Sequence, residues 1–151
     1  MSVPSLAEMR ATNGSDVSPA DYVHHALRAA ELGADFAAAL IALLNPRIVE
    51  REGRMLVEAV GAPARYAAFR AQGQAPQEAE YWANLTVVSD LLGDLDVPQA
   101  HKLAQVLRWS WQNALAAQYP QATQVVRVLE DRAAAEVLVT LSEPPSASTP
   151  E

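Results

Sequence analysis

Prolines in this chain stand just behind residues that cap helices, and they cut it into short pieces. Ser18-Pro19-Ala20-Asp21 reads as an N-cap, a first-turn proline and an acid at the third helical position. Such an acid satisfies free amides and complements the helix dipole. Asn45-Pro46 repeats the device, and Asp96-Val97-Pro98-Gln99 is close to a capping box. Gly61, Gly73 and Gly93 fall where helices should stop, as C′ residues. Together these signals predict helices over about 19–44, 46–60, 63–72, 76–92, 97–118 and 121–141.

Apolar residues recur at spacings of three and four rather than two, which favours helix over strand. In the first helix Val23, Ala26, Leu27, Ala30, Ala34, Ala37, Ile41 and Leu44 form one stripe, and Phe36, Leu40 and Leu43 a second. A helix that is apolar on most of its circumference belongs among neighbours, so this one is expected at the centre. The fifth helix is amphipathic through Ala100, Leu103, Ala104, Leu107, Trp111, Ala114 and Leu115. Val137 to Leu141 has strand-like composition. Yet Val126, Leu129, Ala133 and Val137 keep helical spacing back through the same segment. The expected fold class is therefore all-α: a compact bundle of five to six helices around a central apolar first helix. Thirty of the 151 residues are alanine, which lets helices approach closely.

Residues 1–17 are expected as a flexible N-terminal arm, 18–141 as a single helical domain, and 142–151 as a disordered, Pro- and Ser-rich tail. The start of the chain has no basic segment followed by an apolar one, so no secretory signal is expected. The longest apolar stretch, Phe36 to Leu44, is nine residues, whereas a bilayer span needs about 20. The chain has no cysteine, which removes disulfides, thiolate metal sites and cysteine nucleophiles and fits the cytoplasm.

The net charge of −7 argues against a duplex-binding protein, because phosphate contacts dominate that affinity. The charge is uneven. Residues 46–73 hold five arginines and three glutamates, while residues 74–96 hold five acids and no base. Such segregation can steer a protein partner or a second copy of the chain. The candidate interaction residues are Arg47, Arg51, Arg54 and Arg65 on the basic stretch, Asp90 and Asp94 on the acidic one, and Trp109. Trp109 projects about 200° away from Leu107 on the helical wheel, off the apolar stripe.

No glycine-rich phosphate loop, nucleophile elbow or paired-histidine metal motif is present. His24, His25 and His101 are too scattered to form a ligand set, so no metal and no cofactor are expected. The reading is a non-enzymatic interaction, scaffold or adaptor protein that self-associates. The alternative is a small-molecule-binding or metal-dependent enzyme with a pocket between helices. That pocket would be lined by Tyr81, Trp82 and Trp111, with Asp90 or His101 as its polar groups.

Overall fold

Two of the stretches expected as helices, 46–60 and 121–141, contain β-hairpins, so the protein is mixed α/β and not an all-α helical bundle. The structure is a computed structural model that describes residues 4–14, 17–30, 32–93 and 95–144. It divides into two units, Met1–Leu40 and Ile41–Glu151.

The first unit holds two capped helices. Helix α1, Leu6–Asn13, lies inside the segment expected as an arm. Its N-cap Ser5 and Glu8 form a reciprocal capping box. Helix α2, Pro19–Ala29, starts with a matching box between Ser18 and Asp21. Hydrogen bonds from Ser5 and Ser18 hold the Glu8 and Asp21 carboxyls below the usual carboxylate range.

Helix α3, Ala34–Leu44, begins after Gly33, and its residues from Ile41 onward belong to the second unit. The expected continuous first helix is thus two helices, and α3 has no buried residue. Its apolar circumference is not evidence of a central position here, because Ile41 is 65% exposed. Only its last turn serves the second unit's core, where Leu43 and Leu44 rest on it. No helix among the described residues is long and apolar enough to cross a membrane.

In the second unit, β1, Ile48–Arg51, and β2, Arg54–Val57, pair antiparallel. Glu52 (φ 51°) and Gly53 (φ 75°) join them. Two central residues with positive φ give the turn whose twist matches a hairpin. Helices α4, Ala62–Ala71, and α5, Pro76–Asn84, follow, and then the two-residue strand β3, Thr86–Val87. Helix α6 spans Val97–Gln118 behind the Asp96 capping box, as its spacing predicts. The chain ends in β4, Val125–Asp131, and β5, Glu136–Ser142. These form a sheet of order β3-β5-β4.

Alternation along the strands assigns each side chain to one of two layers. Ile48, Met55, Val57, Val126, Val137, Val139 and Leu141 join Ala100, Ala104, Leu107, Trp111 and Leu115 of α6 in one core. Leu56 points the other way, into a second core with Ala62, Tyr66, Ala79 and Ala83 of α4 and α5. The Trp111 indole N–H donates to the Leu43 carbonyl at 2.8 Å. Tyr66 and Arg70 of α4 grip the hairpin tip through Glu52, at 2.6 and 3.0 Å. Burial and the Glu52 hydrogen bond push the Tyr66 hydroxyl up to about 12.

The β4–β5 turn contains no glycine. Asp131 accepts hydrogen bonds from the Ala133 and Ala134 amides, and Ala135 adopts φ 55°. An alanine in that left-handed region is strained, and glycine is not. Replacing Ala135 with glycine is therefore expected to raise stability by up to about 1 kcal/mol, despite glycine's greater unfolded-state entropy. Chemical denaturation of the two proteins side by side measures the difference, and a loss of stability would contradict the turn geometry.

Candidate interaction surface

The two sheets are joined by side chains, not by a strand ladder. Antiparallel pairing leaves alternate residues of β2 with their N–H and C=O groups pointing away from β1. Asn84 Oδ1 accepts from the Val57 N–H at 2.9 Å, while its Nδ2 donates to the Met55 carbonyl at 2.8 Å. The same amide nitrogen donates to the Leu141 carbonyl of β5 at 2.7 Å. One turn earlier on α5, Glu80 Oε1 accepts from the Met55 N–H at 2.8 Å and Gln124 Nε2 at 3.2 Å. Its Oε2 accepts from the Glu143 N–H just beyond β5 at 3.2 Å. Glu80 and Asn84 are four residues apart, so one face of α5 carries both.

Burial pushes the Glu80 carboxyl above the usual carboxylate range, and its amide donors and Arg54 pull it only partly back. Arg54 Nη1 lies 3.7 Å from Glu80 Oε2 and 2.7 Å from Glu143 Oε1. The Arg54–Glu143 contact is poorly aligned for a hydrogen bond and acts as a Coulombic ion pair. Beside this network lies a cleft of about 390 Å³ lined by Glu50, Gly53, Met55, Tyr119 and Gln124. Glu80 does not line it, and its carboxylate oxygens are already engaged by the protein.

The strand edges are treated unequally. The outer edge of β1 is covered: Gln118 Oε1 takes the Ile48 N–H at 2.9 Å and the Tyr119 hydroxyl donates to the Ile48 carbonyl at 3.3 Å. The outer edge of β2 is closed by α5. Among the described residues strand β4 pairs only with β5. Its Val126 N–H is taken by Gln112 Oε1 of α6 at 2.9 Å. By alternation Val128 and Glu130 then also point their main-chain groups away from β5. Opposite polarity in β5 agrees, since the Val137 N–H and Leu141 carbonyl both bond on the far side. Among the described residues nothing bonds the outward main-chain groups of Val128 and Glu130.

Large apolar side chains flank this open edge on both faces of the sheet. On the α6 side, Trp109 is 71% exposed. Adjoining hollows of about 450 and 430 Å³ run between Gln105, Arg108 and Trp109 of α6 and residues 125–129 of β4. On the α5 side, Trp82 is 45% exposed and stands edge-on to the Tyr81 ring. It lines a hollow of about 540 Å³ with Leu85, Leu129 and Leu138. The Arg127 guanidinium lies over the Tyr81 ring at 5.6 Å and donates to the Ser142 hydroxyl at 2.7 Å.

The arginines singled out by sequence do not converge. The helical spacing that put Arg47, Arg51 and Arg54 on one face does not exist, because this stretch is a hairpin. Arg47 pairs with Glu58 at 3.7 Å, and Arg51 bonds the Glu50 carbonyl at 3.0 Å. Arg54 is consumed by the buried Glu80 and the partly exposed Glu143. Arg65 donates to the Val60 carbonyl at 2.7 Å and the Leu85 carbonyl at 3.4 Å, tying α4 to its neighbours. Asp90 is exposed in a 3-10 turn after β3, and Asp94 lies outside the described residues.

Nor do the aromatics of the pocket reading meet. Trp111 is fully buried in the α6 core, while Tyr81 and Trp82 line the opposite sheet face. Among the described residues no three His, Asp or Glu side chains are placed to hold a metal ion. Of the sequence candidates, only Trp109 lies beside the β4 edge.

Replacing Asn84 with alanine orphans two carbonyls and one N–H in the interior, for a loss on the order of 3 kcal/mol or more. Denaturant titration measures it, and a loss under about 1 kcal/mol would contradict the joint. The pH response follows from Glu80. A carboxyl whose folded pKa is raised stabilises the fold most while protonated, and that contribution is lost as pH rises through the raised value. The stability of the native protein relative to Glu80→Gln is therefore expected to fall as pH rises above the ordinary carboxylate range. A flat or rising difference would show that Glu80 is not raised by burial.

No family model, curated protein or solved structure matches the chain.

Proposed function

We propose that the protein is a non-enzymatic interaction module that holds a polypeptide partner at the open edge of β4. The observation that carries this reading is the pair of free main-chain positions, Val128 and Glu130, set between exposed tryptophans on both sheet faces. Strand addition draws affinity from main-chain hydrogen bonds and specificity from flanking side-chain hollows. The β4 edge has both parts. Tryptophan is also the residue type most enriched where interfaces concentrate their binding energy.

The acidic balance of the chain fits a protein partner better than nucleic acid. The absence of cysteine fits a cytoplasmic setting, which belongs to the same proposal.

Proline at position 128 tests this directly. It removes the outward N–H of Val128 without removing a bond to β5, and prolines are tolerated on edge strands for that reason. Immobilised native protein, Val128→Pro and Trp109→Ala are exposed to lysate of the source cells, and the retained proteins, including copies of the chain itself, are quantified. Retention is expected to fall about tenfold or more in both variants, with thermal unfolding confirming that each is folded. Equal retention by folded Val128→Pro, or no retention by the native protein, overturns the reading.

A further inference from the structure

We propose that the occupant of this edge is a second copy of the chain, with β4 against β4, antiparallel about a two-fold axis at Leu129. The assignment rests on the reading of β4 as the docking edge and adds the identity and register of the partner.

The free main-chain groups set the register. In antiparallel pairing, residues whose main-chain groups point outward must face one another to exchange bonds. A two-fold axis at Leu129 places Val128 opposite Glu130 of the second copy, and Glu130 opposite its Val128. That arrangement uses the open positions on both copies, giving about four main-chain hydrogen bonds. An axis at Val128 would instead place Glu130 opposite Val126, whose N–H is already held by Gln112.

Charge points to the same register. The edge is basic towards its N-terminal end, where Arg108 of α6 lies alongside residues 125–129, while the Arg127 guanidinium turns inward to Tyr81 and Ser142. Its other end carries Glu130, Asp131 and, across the hairpin, Glu136. Arg132 stands there too, 3.7 Å from Glu130, and His101 approaches Glu130 at 3.2 Å, but the three acids outnumber the one arginine.

Antiparallel pairing about Leu129 brings Arg108 of α6 towards Glu130, which the pairing has placed beside Val128. A parallel pairing would set like charges together, which is unfavourable. The same register brings the exposed Arg132 of one copy to the end of the strand beside Trp109 of the other.

A charge exchange between exposed residues tests the proposal. Arg108→Glu and Glu130→Arg are made separately in the full chain, leaving Asp131 to hold its turn. The molar mass of each is followed by light scattering after size exclusion, alone and as an equimolar mixture. The native protein is expected to form dimers at micromolar concentration. Each variant alone juxtaposes like charges and should raise the dimer dissociation constant about tenfold or more. The mixture should recover dimers that contain one copy of each variant, because both cross-copy pairs are then opposite in sign.

Amide exchange gives a second readout. Val128 and Glu130 should gain protection as the native protein is concentrated, while the β5-bonded amides of Arg127 and Leu129 are protected throughout. A native protein that stays monomeric to about 100 μM, or a mixture no more dimeric than its components, overturns the assignment. In the first case a Val128→Pro-sensitive foreign partner would leave the β4 docking edge standing, so the two readings fail separately.

Discussion

Asn84 and Glu80 do the work of a missing strand. Strand β2 and the C-terminal end of β5 approach each other with main-chain groups unpaired, and β3 pairs with β5 only at Val139 and Leu138. A carboxamide can donate and accept at once, so Asn84 satisfies β2 in both senses and reaches β5 with its remaining N–H. Carboxyl oxygens accept, and Glu80 is placed where donors converge: Met55 N–H, Glu143 N–H and Gln124. Apolar side chains could fill the volume but would leave these buried main-chain groups orphaned.

That joint decides where the other layers lie. Because α5 must reach the strand edges, it packs with α4 on the face that takes Leu56, and α6 takes the face lined by Val57, Val139 and Leu141. Helix α6 then spans the unit from β4 to β1. Gln112 covers a main-chain group at one end, and Gln118 and Tyr119 cover β1 at the other. Before Gln112 its exposed Gln105, Arg108 and Trp109 line hollows beside β4 but bond none of the main-chain groups of Val128 and Glu130 among the described residues. The open edge is thus a consequence of how the two sheets were joined.

The sequence made α6 legible from cap to final turn, because its capping box and apolar stripe agree. The hairpins were hidden for different reasons. Glu52-Gly53 between Ile48-Val49 and Leu56-Val57 is a short-turn signal, but Asn45-Pro46 before it looked like a helix start. In 125–142 the β-branched residues favour strands, yet Arg132-Ala133-Ala134-Ala135 is composed of good helix formers. That turn rests on the Asp131 side chain and a strained Ala135, neither of which composition reveals. The joint itself left one trace. Glu80 and Asn84 lie next to Ala79 and Ala83 on the buried face of α5, where polar residues need partners. The Trp109 projection was legible because it depends only on α6 being a helix, whereas the edge beside it could be found only once β4 was a strand.

An uncovered strand is a hazard as well as an opportunity, and charges on an edge are one common guard against unwanted pairing. A guard works best with one sign, since every approaching copy then meets repulsion in every register. The β4 edge instead runs from Arg108 to Glu130 and Asp131. In the proposed pairing such an arrangement disfavours a parallel copy and favours one turned end for end. The proposed register closes on itself through a two-fold axis and would use the β4 edge of both copies. On that proposal, mixed charge on an open strand reconciles exposure with restraint, because β4 would admit one occupant.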